Sequence, residues 1–163
     1  MIATAFAVAF VVYSCKSGLS EAGKLDLSAT PLQIVDSMNM VQTNKGKIEM
    51  RVVTGQMQRF DNDSVSREYF PEGMWVYAYT DDEVLESTIV SDEASHEKRK
   101  DSGEEVWKAF GNVVVKNIVK QQTMETDTIY WDRTKKEIYT DCYVRMYSPD
   151  GFMQGYGMRS DER

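Results

Sequence analysis

The chain has 163 residues, 42% of them hydrophobic and 28% charged, which is enough apolar material for one folded domain and too much for a disordered chain. Its formal net charge is −7 and its sequence pI about 4.8, and a surface of that sign repels a phosphate backbone, so no nucleic acid is expected as a partner. One histidine, two cysteines and no CxxC pair leave too few ligands for the usual zinc spacings, and neither a metal nor a cofactor is expected.

Residues 2–13, I-A-T-A-F-A-V-A-F-V-V-Y, carry no charge. As a helix of 1.5 Å rise per residue such a run spans about 18 Å, short of the ~30 Å hydrocarbon core, so it fits the apolar stretch of a signal peptide better than a spanning helix. It runs into S-C, and the small Ser14 before Cys15 resembles a bacterial lipoprotein signal, in which cleavage frees a cysteine that carries a diacylglycerol. Tyr13 and the absence of Lys or Arg ahead of the run depart from the strictest form of that signal, and an uncleaved anchor is the alternative. Either reading puts residues 16–163 outside the cytoplasm. The expected organisation is a signal or anchor segment over 1–15, a polar tether over 16–31 and one folded domain over 32–163. With Cys15 lipidated, Cys142 is left as an unpaired strand cysteine.

From Leu32 onward the pattern has period two. It predicts a strand over 34–43, a turn at N-K-G-K, and a longer strand over 48–60, in which Gly55 marks a bulge or a close backbone approach. D-N-D-S at 61–64 reads as a turn; it lacks the Gly and the bidentate Glu of a calcium loop. After Pro71 and Gly73 comes an aromatic strand, M-W-V-Y-A-Y, then a D-D-E turn and the strand V-L-E-S-T-I-V-S-D. Residues 93–105 are almost wholly polar and read as an exposed loop, with His96 and the basic Lys98, Arg99 and Lys100 solvated on it. The strand pattern resumes at V-W-K-A-F-G-N-V-V-V-K-N and continues in a hairpin around R-T-K-K, and P-D-G at 149–151 turns into a last strand. Short turns between about nine or ten strands mean antiparallel pairing in an all-β domain. T-I-V-S-D at 88–92 also lines up with T-I-Y-W-D at 128–132, which reads as a repeated hairpin unit.

Several of these stretches together resemble the LptC family: Y-F-P-E-G-M-W-V, S-T-I-V-S-D, A-F-G-N-V-V-V-K-N, T-D-T-I-Y-W-D-R-T-K-K-E-I-Y-T-D and D-G-F-M-Q-G-Y-G-M-R-S-D. The likeness spans roughly residues 32–161. It implies an antiparallel open β-jellyroll, the twisted sheet of LptC and OstA-like domains, with no catalytic constellation. It implies lipopolysaccharide as cargo and a place on the periplasmic face of the inner membrane. The implied partners are the inner-membrane Lpt ABC transporter subunits and a periplasmic bridge protein of the LptA type, met by edge-strand pairing. Many members carry a transmembrane helix where this chain has Cys15. Relatives commonly continue past the position of Arg163, so a shortened C-terminal edge is expected.

Physical chemistry agrees with such a cargo. An amphiphile with several acyl chains exposes CH₂ groups at about 0.8 kcal/mol each, and a sheet with one apolar face shields them. The candidate groove-lining residues are Val113, Val115, Ile129, Trp131, Ile138, Val144 and Met146. The alternative is that they form the closed core of a β-sandwich in a structural or adhesive envelope lipoprotein, which alternation alone does not distinguish. The methionines Met38, Met40, Met50, Met57, Met124 and Met153 suit either a wall that moulds to flexible chains or plain core filling.

Overall fold

The computed structural model describes residues 30–161. The signal or anchor segment, Cys15 and most of the tether lie outside the described residues. Ten strands form one antiparallel sheet: β1 (Gln33–Asn44), β2 (Lys47–Asp61), β3 (Val65–Phe70), β4 (Met74–Tyr79), β5 (Leu85–Ser91), β6 (Glu93–Arg99), β7 (Glu105–Asn117), β8 (Gln122–Asp132), β9 (Glu137–Ser148) and β10 (Gly151–Asp161).

Two of the breaks between strands are kinks rather than changes of direction. β3 and β4 both pair with β2, and β6 and β5 pair with β3 and β4 in nearly one register, from Val65↔Arg99 to Met74↔Ser91. Counting β3/β4 and β5/β6 as single bent strands turns the topology into an eight-strand meander, each strand beside the next in sequence. Local turns therefore suffice to build it.

The sheet is folded across its strands along a crease, and the crease is made by identifiable residues. In β7, Gly111 and Asn112 together oppose one residue of β8; in β9, Asp141 and Cys142 together oppose Gly157 of β10. Two residues against one bend a strand and sharpen its twist. Positive φ recurs along the same line, at Ser37, Gly73, Gly111, Asn112 and Gly157. Gly55, where β2 exchanges β4 for β3, admits no side chain: a Cβ there would stand 2.6 Å from the Glu72 carboxylate. Threonines take up polar backbone groups that the bend removes from the ladder. The Thr54 hydroxyl donates to the Gly73 carbonyl at 2.7 Å, and the Thr140 hydroxyl accepts from the Cys142 amide at 3.1 Å. Both threonines are buried.

The crease divides the sheet into two wings that face each other. Between them lies the core, including Val52, Phe70, Met74, Ala94, Ala109, Val113, Ile129 and Val144. Two sequence expectations change. The stretch read as a polar loop contains β6, because strands pair with it on both sides, β3 on one and β7 on the other, and only the small Ala94 needs to be buried. Lys100 and Arg99 at its tip are ion-paired, to Asp61 at 2.6 Å and Glu104 at 3.5 Å. The apparent repeat is not structural: T-I-V-S-D ends at the crease, whereas T-I-Y-W-D begins there and ends at a wing tip. The D-N-D-S stretch is a turn, as expected, held by the Asn62 side chain, whose Oδ1 accepts from the Ser64 and Val65 amides.

Candidate functional site

The inner face of one wing is an apolar ladder that crosses every strand of that wing. Directly opposed partners run Met40, Val52, Val76, Ile89, Val115, Met124, Met146 and Met153, from edge strand β1 to edge strand β10. A second row beside it runs through Met74, Val113 and Val144, with the hydroxyls of Ser91 and Thr126 between them. Since the ladder holds four methionines, we call this the methionine wing. Thioethers with three rotatable bonds fill space without fixing its shape.

The facing wing carries Phe70, Ala94, Ala109 and Ile129 in one row and Glu68, His96, Trp107, Trp131 and Ile138 in the next. Here rings lie on rings: Trp107 stacks on His96 at 4.2 Å and on Phe70 at 6.1 Å, and the Arg133 guanidinium lies 5.3 Å over Trp131. Such contacts fix orientation as well as burying area. We call it the indole wing.

At its outer end the indole wing is charged. His96 Nδ1 lies 3.1 Å from Glu68 Oε2, and its Nε2 is 3.2 Å from Glu105 Oε1, in an ion-pair contact poorly aligned for a hydrogen bond. Arg133 closes the chain, its Nη1 donating to Glu105 Oε1 at 3.0 Å. The hydrogen bond from His96 holds the Glu68 carboxyl below the usual range, against the cost of its partial burial. For Glu105 burial is the largest single influence and opposes ionisation, but Arg133 and His96 together outweigh it and lower the pKa. His96 is thus a half-buried strap joining β3, β6 and β7, not a solvated loop residue.

Between the wings is an apolar cavity of about 60 Å³, lined by Met50, Val52, Met74, Val76 and Ile89 on one side and Trp107, Ala109, Ile129 and Trp131 on the other. That is room for about two water-sized groups. Val144 and Met146 border a second cleft of about 110 Å³ that runs out under β10 beside Met153 and Met158. All seven candidate groove residues lie on this inner side. Val113, Ile129 and Val144 are buried in the cluster, Val115, Ile138 and Met146 pack against it, and Trp131 lines the cavity. The sequence reading missed Ala109 and Trp107, which face the cavity from the strand whose later half it had used, and Phe70, on a short strand it left unread.

The two edges differ from the interior strands in one respect: among the described residues, β1 pairs only with β2 and β10 only with β9. Neither contains proline, and both expose apolar side chains, Ile34 and Val41 on one and Phe152, Met153 and Tyr156 on the other. Unpaired edges of that length are templates for another strand. Among the described residues, no three His, Cys, Asp or Glu side chains are placed to hold a metal ion, and Cys142 is a free thiol.

The family model described as lipopolysaccharide-assembly, LptC-related, matches residues 1–163, the whole chain. No curated protein matches it.

Proposed function

The chain belongs to the LptC-related family, a component of lipopolysaccharide transport associated with the inner membrane and periplasm, and on that premise we propose that it carries acyl chains between its two wings. The observation that carries this reading is the apolar ladder running unbroken from β1 to β10, since an ordinary closed core has no need of an apolar face that reaches both edges. Lipid enters at one edge and leaves at the other. Strand pairing at β1 and β10 with the inner-membrane ABC transporter subunits and an LptA-type bridge protein continues the groove from chain to chain. Cys15 anchors the domain to the membrane by a diacylglycerol, with residues 16–31 as its tether. Val113, Val115, Ile129, Trp131, Ile138, Val144 and Met146 are the lipid-contacting side chains, and the work is non-enzymatic.

The narrowness of the cavity favours one competing reading, a closed sandwich in a structural envelope lipoprotein. Under the transport reading the wings part at the crease when chains enter, the methionine wing yielding first. Uptake of a fluorescent fatty acid separates the two. The wild-type chain is expected to bind it, and Ala109→Phe, which fills the cavity from the indole wing at a stability cost of about 1–3 kcal/mol, to bind at least tenfold more weakly while still melting cooperatively. No uptake by the folded wild type, or equal uptake by the variant, contradicts the groove.

A further inference from the structure

The two wing tips show different things to solvent. At the tip of the indole wing, Arg99, Lys100, Arg133 and Lys135 are each held by a carboxylate, those of Glu104, Asp61, Glu105 and Asp132. The tip of the methionine wing leaves aliphatic side chains in water: Val84 is 57% exposed, Ile118 47% and Val119 63%, with the exposed Ile48 beside them. They form one patch. The Ile118 amide donates to the Glu86 carbonyl at 2.7 Å and the Ile48 amide to Glu83 Oε1 at 3.0 Å, which ties the turns after β1, β4 and β7 together. A single exposed valine needs no explanation, but a contiguous group at one end of a molecule marks a contact. The turn after β7 is built to hold its aliphatic pair outward. Asn117 Oδ1 accepts from the Lys120 amide at 2.7 Å, and Gln121 takes a φ of 52°, closing the turn before Gln122 pairs back to Asn117. In its sequence, K-N-I-V-K, lysines stand on both sides of the pair and no carboxylate occurs. Lys116 and Lys120 are exposed and make no ion pair among the described residues. Of the nearest carboxylates, Glu83 is engaged by the Ile48 amide, and Asp81, Asp82 and Glu86 lie on the β4–β5 side, so the basic part of the tip is the β7–β8 turn.

We propose that the β7–β8 turn is a membrane contact, in which Ile118 and Val119 enter the interfacial layer of a phospholipid bilayer and Lys116 and Lys120 sit among its phosphates. The order of chemistry in the turn matches the order in the bilayer. An apolar tip framed by cations meets an apolar layer framed by anions, and lysine stems run along the apolar part while their ammonium groups stay at the head groups. A protein surface covers Ile118 and Val119 equally well but gives no reason for two unpaired lysines around them in a chain of net charge −7. The contact needs neither the groove nor a lipid on Cys15. It gives the folded domain a fixed attitude, with the tip of the methionine wing against the bilayer.

Residues 2–13 are themselves apolar, so binding of the full chain to vesicles does not report on this turn, and the test reads single sites instead. The full chain carries a photoreactive residue at position 119 or, as the control, at 156, and is bound to vesicles of equal parts phosphatidylcholine and phosphatidylglycerol. Tyr156 is 82% exposed on β10 beside the crease, so exposure alone would label it at least as well as Val119. The phospholipid adduct at 119 is expected to exceed that at 156 by about fivefold or more. Lys116→Glu with Lys120→Glu is expected to lower the adduct at 119 by about tenfold, with cooperative melting retained because both side chains are exposed. An adduct at 119 no stronger than at 156, or one that survives the double charge reversal, overturns the membrane contact. An adduct at 119 with a second copy of the chain in place of phospholipid overturns it too, and assigns the patch to self-association. None of these outcomes touches the inner face, so the groove is tested separately.

Discussion

The two wings are made from the same eight strands, yet they hold together differently. The methionine wing presents aliphatic side chains on its inner face and a further apolar row, Val53, Trp75, Val90 and Val114, on its outer face. Its cohesion is non-directional. The indole wing is tied by stacked rings and by the chain Glu68–His96–Glu105–Arg133, with a second tie in the β8–β9 turn, where buried Asp132 accepts from the Lys135 amide at 2.9 Å and from its Nζ at 2.7 Å. The Lys135 contact holds the Asp132 carboxyl below its usual range. A groove that admits flexible chains of varied shape benefits from one wall that moulds and one that keeps its geometry. Under the proposed transport reading, the difference between the wings assigns accommodation to one and orientation to the other.

Breaking the rigid wing should have the largest effect. Phe70 is 2% exposed and joins β3 to the Trp107 stack, so Phe70→Ala is expected to cost about 3–5 kcal/mol in denaturant unfolding. The matching truncation in the plastic wing, Met124→Ala, should cost less, about 2–3 kcal/mol, because the flexible thioethers beside it close on the vacated space. Equal costs would remove the distinction.

The next effect concerns the crease that sets the wings against each other. At Gly111, with φ of 75°, a Cβ would fall 2.9 Å from Asp92 Cβ, so Gly111→Ala should destabilise by about 1–3 kcal/mol. Gly155 on β10, where a Cβ meets nothing within 4 Å, serves as its control and should tolerate alanine with little change. If the two glycines responded alike, the bend at Gly111 would not depend on that residue.

The smallest effect is titration of the indole wing. Glu68 and Glu105 both have folded pKa values below the ordinary 4.5. A depressed carboxyl contributes stability that is present above its unfolded pKa and is lost as pH falls through the folded one. Unfolding free energy should therefore hold level on this account above about pH 5 and decline below 4.5, and Glu68→Gln should flatten that acid limb. An unchanged limb in the variant would show that the His96 strap does not stabilise the wing.

Much of this was legible in the sequence where alternation was uninterrupted. Ile129 and Trp131, Val113 and Val115, Val144 and Met146 are pairs two residues apart, and each pair falls on the inner face. The crease was harder to read. Thr126 and Ile129 of β8 both face inward although an odd number of positions separates them, because the phase shifts where the strand meets the bulge of β7. Gly55 gave a signal for the bend, but Asn112, Asp141 and Cys142 carry no such mark. β6 was missed for a related reason. Its E-A-S-H-E-K-R sequence has no apolar stripe, and it is a strand because hydrogen-bonding partners flank it, an influence that no local pattern carries. His96 was therefore read in water, whereas pairing brings it between two carboxylates.

The account stands or falls on whether the inner face meets lipid. Met146 is part of the apolar ladder, and its neighbour Arg145 points the other way, paired to Glu125 at 3.1 Å with about half its side chain exposed. A photoreactive residue placed at each position in turn, in cells that make lipopolysaccharide, should give a lipopolysaccharide adduct at 146 and none at 145. Adducts at 145 alone, or at neither position with folded protein present, would contradict transport between the wings.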